Sequence, residues 1–152
     1  MALPSVFDSS VVKSLQDRIN KLTPDTKSLW GKMTVDQMLA HSNITYELIF
    51  TDKHPKPNVF TKWVLTSFVK KKVVDETPYP KNGPTGPQFL IKGPKDFEAE
   101  KKRLVDYINQ TLELGEQHFH LKKSHSFGIL KSNEWNNMLY KHLDHHLKQF
   151  GV

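Results

Sequence analysis

The chain has 152 residues, 37% hydrophobic and 25% charged, which suits one domain (residues 1–152) with a sizeable buried core. It contains no cysteine, which excludes disulfides and thiolate ligands and leaves only nitrogen and oxygen donors for any metal. The formal charge is +6, from 22 Lys and Arg against 16 Asp and Glu. Only Arg18 and Arg103 carry the planar fork that reads phosphates and guanine edges, so the lysines read as solvated faces and nucleic acid is not an expected partner.

The segment Met1 to Asp8 has neither the basic nor the apolar region of a signal peptide, and no apolar run approaches bilayer thickness. A cytoplasmic location without a membrane partner is the expectation.

The first helix is expected from about Ser10 to Leu22, capped by Ser9 or Ser10, with Val11, Val12, Leu15, Ile19 and Leu22 on one stripe. Thr23-Pro24-Asp25 stops it. A second helix opens at Thr34, where Thr34 and Gln37 form a capping-box pattern, and ends near Asp52. His41 lies on its stripe with Met38, Thr45 and Leu48.

His54-Pro55-Lys56-Pro57 breaks the chain. A third helix is expected from Asn58 to Lys72, with Phe60, Trp63, Val64, Ser67 and Phe68 on one side; Trp63, Phe68 and Trp135 read as core. The stretch from Val73 to Pro94 holds five prolines and three glycines, a density that excludes regular structure. Tyr79, Phe89, Leu90 and Ile91 are placed to pin it to the body.

A fourth helix is expected from Asp96, its N-cap, to about Leu114, with Gly115 ending or weakening it. A loop from His118 to Lys131 leads to a fifth helix, capped by Ser132 and stopping at Gly151. No strand alternation is evident. The fold class predicted is all-α: a four-helix bundle with an extra helix and a long Pro/Gly-rich crossover between Asp52 and Lys95.

The last helix ends Lys141-His142-Leu143-Asp144-His145-His146. His142 and His146, four apart, stack on one face, and that face also carries Trp135, Leu139 and Phe150. Imidazoles on an apolar stripe are either hydrogen-bonded core residues or metal ligands. With His41 on the second helix a third imidazole is available, and three nitrogens plus an open position is the pattern of a catalytic metal site. His145 and Asp144 turn away on the helical wheel, Asp144 as a solvent or interface residue. His125, in the loop before the last helix, is a candidate acid–base or binding group at the mouth of the site. His54, His118 and His120 read as surface groups. No Gly-x-Ser-x-Gly turn and no phosphate-binding glycine loop is present.

The segment Trp30-Gly31-Lys32-Met33-Thr34-Val35-Asp36-Gln37-Met38-Leu39-Ala40-His41 resembles the second-helix signature of the DinB/YfiT-like superfamily. Tyr140 to Gly151 resembles that superfamily's last-helix His-x-x-x-His motif, and Pro78–Ile91 and His125–Leu130 resemble a bacterial branch of unassigned function. The resemblance implies an up-down-down-up four-helix bundle, often a homodimer, and a divalent metal, nickel or zinc, on His41, His142 and His146. Some members resemble thiol S-transferases, which implies a low-molecular-weight thiol and a small-molecule substrate. The functions in view are therefore a metal-dependent thiol transferase or hydrolase, or a non-catalytic helical bundle that binds a small ligand or partner and whose histidines are structural. Here Ser42 follows His41, no acidic fourth ligand is evident, and the long crossover departs from the family pattern.

Overall fold

Asp8, rather than Ser9 or Ser10, starts the first helix. The computed structural model describes residues 2–152, and in it the Asp8 carboxylate accepts from the backbone N–H groups of Ser10 at 2.8 Å and Val11 at 3.2 Å. These are amides that the first turn cannot pair internally. Helix α1 then spans Ser9–Asn20. Helix α2 spans Val35–Phe50, and the Gln37 side chain accepts from the Thr34 amide at 3.1 Å, as the capping-box pattern requires.

The expected third helix is a continuous helical path in three pieces: α3 (Val59–Val64), a π-turn (Leu65–Val69) and α4 (Lys70–Val74). The crossover carries one short 3₁₀ turn, Pro87–Phe89. Helix α5 runs Phe97–Phe119, capped by Asp96, which accepts from Ala99 at 3.0 Å. Gly115 breaks the helical backbone of α5 after Leu114, as expected: its φ of 72° lies where only glycine is unstrained, and one more turn follows the kink. Two strands of two residues, β1 (Lys122–Lys123) and β2 (Ile129–Leu130), pair antiparallel. They are too short for alternation to reveal. Helix α6 spans Ser132–Gln149. Ser132 does not cap it, since its hydroxyl donates to Glu116 instead; the Glu134 carboxylate accepts from the Lys131 amide at 2.8 Å.

The structure is mostly helical. Helices α1, α2, α5 and α6 pack against one another around Leu15, Ile19, Met38, Leu39, Leu104, Ile108, Leu139, Leu143 and Leu147, all buried. Each such side chain contributes about 1.5–3 kcal/mol on leaving water. A smaller cluster joins Val74, Phe119, Leu130 and Trp135. Trp135 is core, as expected. Trp63 and Phe68 are not: they are 57% and 66% exposed, because the helical path 59–74 leans on the body through α4 against α6. No helix among the described residues is long and apolar enough to cross a membrane.

Candidate metal centre

The α2–α6 contact brings His41, His142 and His146 together. One ring nitrogen from each lies within 4.8 Å of the other two. His41 and His146 are 5% and 7% exposed, and His142 is half-buried. The His41 ring centroid stands 5.0 Å from that of His142 and 4.5 Å from that of His146.

What each ring does with its other nitrogen decides which atoms are free. His41 Nδ1 lies 2.9 Å from the Phe89 carbonyl. A carbonyl only accepts, so His41 carries its proton on Nδ1 and, when neutral, leaves Nε2 bare. His146 Nδ1 lies 2.8 Å from Gln149 Oε1. The Gln149 amide is oriented by its Nε2, which donates to the Trp30 carbonyl at 2.8 Å. His146 is therefore also protonated on Nδ1, with a bare Nε2. His142 Nδ1 faces the Thr45 hydroxyl at 3.1 Å, a partner that can donate or accept. His142 Nε2 stands 3.0 Å from His41 Nε2.

Two protonation patterns follow. In one, His142 carries its proton on Nε2 and donates it to His41 Nε2, while Thr45 donates to Nδ1. In the other, the proton moves to Nδ1, Thr45 accepts it, and all three Nε2 atoms carry a free lone pair. The second pattern is what a metal requires. Nitrogens sharing one tetrahedral ion stand roughly 3.4 Å apart; His41 Nε2 and His142 Nε2 stand 3.0 Å apart, and one nitrogen of each of the three rings lies within 4.8 Å of the others. All three rings are held neutral. Burial lowers the His41 pKa. Burial, reinforced by the neighbouring histidines, takes His142 well below its ordinary value. Burial first, then the nearby His41, takes His146 down to about 3. Neutral imidazoles with free lone pairs, each anchored through Nδ1, fit a divalent metal.

Three groups that support the site are given no role in it by the sequence reading. Phe89 comes from the 3₁₀ turn of the crossover; it supplies its carbonyl, and its ring packs on His41 and His142 at 5.4 and 5.9 Å between centroids. Thr45 and Gln149 are one turn beyond His41 and His146, which is the signal that could have found them. Gln149 also ties α6 to the segment before α2: its backbone carbonyl accepts from the Leu29 amide at 2.7 Å.

The other candidates lie elsewhere. His125 contacts Ser126 Oγ at 2.8 Å and the His54 carbonyl at 3.2 Å, with no ring contact to the triad among the described residues. His145 packs edge-on against His146 at 5.1 Å and against Trp30 and Tyr79, beside the triad and outside the cluster of converging nitrogens. Asp144 is not a free solvent group; it pairs with Arg18 at 2.9 Å and Lys148 at 2.7 Å. His54 pairs with Glu47 at 2.7 Å, and His118 contacts Lys122.

Comparisons with protein-family models, with curated proteins and with solved structures found no match to this chain.

Proposed function

We propose that this protein is a divalent-metal-dependent enzyme acting on a small molecule by thiol transfer or hydrolysis, with nickel or zinc held by His41, His142 and His146. The observation that carries this reading is the pairing of each Nδ1 with an oxygen while one nitrogen of each ring lies within 4.8 Å of the other two. The packing of α1, α2, α5 and α6 around one core is compatible with a four-helix bundle; the DinB/YfiT-like kind and the homodimer are proposed on the sequence resemblance alone.

When bound, such an ion supplies Lewis acidity and lowers the pKa of a water or thiol beside it. The chain's own residues do the rest. Phe89 and Gln149 fix the rings of His41 and His146 through their Nδ1 protons. Thr45 accepts from His142 in the pattern that frees its Nε2. The Phe89 ring, resting on His41 and His142, keeps bulk water off two of the three imidazoles, which strengthens electrostatic interactions there. The cluster has no carboxylate, so three neutral ligands would leave the formal charge of a bound ion uncompensated, which would favour a low-molecular-weight thiolate or a hydroxide beside it.

The test is metal analysis of tag-free, chelator-free protein, wild type and His142→Ala, after loading with nickel or zinc. About one equivalent in wild type and little in the variant is expected, followed by turnover of a thiol or ester substrate that the variant lacks. Equal metal in both proteins would overturn the assignment.

The enclosure of the site favours one second reading, a non-catalytic bundle that binds a small ligand and uses the metal for stability. It predicts a melting temperature that falls on chelation while no thiol or ester substrate turns over.

A further inference from the structure

Between Lys53 and Val74 the chain has six lysines and no acidic residue. Along the same stretch the helical path 59–74 exposes Phe60 at 72%, Trp63 at 57% and Phe68 at 66%. These rings touch one another: Phe60–Trp63 centroids are 6.1 Å apart and Trp63–Phe68 centroids 5.9 Å. The π-turn makes this possible. In a regular α-helix residues five apart project about 140° from each other. The π-turn closes with the Lys70 amide donating to the Leu65 carbonyl, five residues back, and that wider winding stacks residues five apart. It returns Phe68 to the side of Trp63, so the three aromatics form one outward face.

We infer that this face, Phe60, Trp63 and Phe68 with the flanking lysines, docks on an anionic lipid surface. The aromatic rings supply the part that enters the headgroup boundary, and the lysines supply attraction to anionic lipid. Lys53 and Lys70 are each near a carboxylate, Glu47 and Glu134; Lys56, Lys62, Lys71 and Lys72 have no ion-pair partner among the described residues and are available.

A second copy of the chain fits less well for two reasons. The three rings expose roughly 400 Å², against about 800 Å² per partner in a standard protein interface. A two-fold interface would also set the lysine-rich stretch of one copy against that of the other, an unfavourable pairing. An anionic bilayer satisfies both the apolar and the basic elements.

The experiment is co-sedimentation of the full chain with phosphatidylcholine vesicles, with and without about 30% phosphatidylglycerol. Partitioning is expected only onto the anionic vesicles, falling about tenfold on raising salt to roughly 0.5 M. Trp63→Ser with Phe68→Ser should reduce it about tenfold, and Lys71→Gln with Lys72→Gln by a similar factor. All four positions are surface groups, so the melting temperature and metal content of the variants should match wild type. Trp63 emission should shift to the blue on binding, and Trp63→Phe should remove that shift while keeping partitioning. No binding to anionic vesicles, or equal binding to both kinds, overturns the inference. So does a dimer in sedimentation equilibrium that Trp63→Ser with Phe68→Ser dissociates, because the face is then covered by a second copy.

Discussion

The Phe89 carbonyl accepts from His41 Nδ1 across 48 residues of chain, at 2.9 Å. Through it the irregular crossover fixes the tautomer of a metal-ligand candidate, while the Phe89 ring rests against His41 and His142. Phe89→Ala keeps the backbone carbonyl but removes the ring that seats it. Outer-shell partners of metal ligands typically contribute one to two orders of magnitude in affinity. We expect metal affinity to fall about tenfold with helix content unchanged, as read by competition with a chromophoric chelator.

Gly31 sits at φ +81°, and a Cβ there would come 2.5 Å from Gln149 Nε2. The Gln149 amide would have to leave the Trp30 carbonyl, and its Oε1 would lose its alignment on His146. Gly31→Ala should therefore weaken metal binding about tenfold without touching a ligand. Gln149→Leu should do the same, and Gln149→Glu, which keeps an acceptor for Nδ1, should retain more affinity than Gln149→Leu. Titration calorimetry on the three variants separates these outcomes.

Thr45 is the partner that can both donate to and accept from His142. Thr45→Val leaves the Nδ1 proton of the metal-binding pattern without an acceptor in a buried place, a cost of about 1–3 kcal/mol. Metal affinity should fall by one to two orders of magnitude, whereas Thr45→Ser should bind like wild type. The same competition assay reads both.

Lys141 is 5% exposed, and its ammonium donates to the Lys72 carbonyl at 2.8 Å, the Asp75 carbonyl at 2.7 Å and the Asp75 carboxylate at 3.0 Å. It joins α6 to the end of α4, where the crossover begins. Lys141→Met leaves those partly exposed acceptors without their donor and should cost about 1–2 kcal/mol. In a chain of this size that lowers the melting temperature by roughly 2–8 °C, measured by circular dichroism.

Glu47 is partly buried, which raises its pKa. Hydrogen bonds from His54 and Arg103, with the charges of Arg103 and Lys53, outweigh that and hold it below its ordinary value of 4.5. A carboxylate with a depressed folded pKa stabilises the fold above its unfolded pKa, and loses that contribution as pH falls through the folded pKa. Wild-type stability should therefore decline below about pH 4.5. Urea unfolding at successive pH values should show a flatter decline over that window for Glu47→Gln, whose wild-type difference is largest near neutrality.

Helix positions, the proline crossover and the three histidines were legible in the sequence because each has a local signature: a stripe at period 3.6, a density of φ-restricting residues, and ligand spacing on one helical face. Local signatures do not say what lies across from a residue. Trp63 and Phe68 have helical spacing suited to a core, yet they are 57% and 66% exposed, and the five-residue winding that aligns them arises only once the π-turn forms. Gly115 has the usual signature of a helix end and does break the helical backbone, but the further turn that follows it was not legible.

The sequence by itself determined that the protein is mostly helical and that His142 and His146 share a face, because backbone periodicity alone places residues four apart together. Only the tertiary structure decided that His41 meets them, that each Nδ1 finds an oxygen from Phe89, Thr45 or Gln149, and that three aromatics face outward. Those outcomes depend on which elements pack together, and contacts between residues distant in the chain are set by the whole core at once rather than by any segment's own preference.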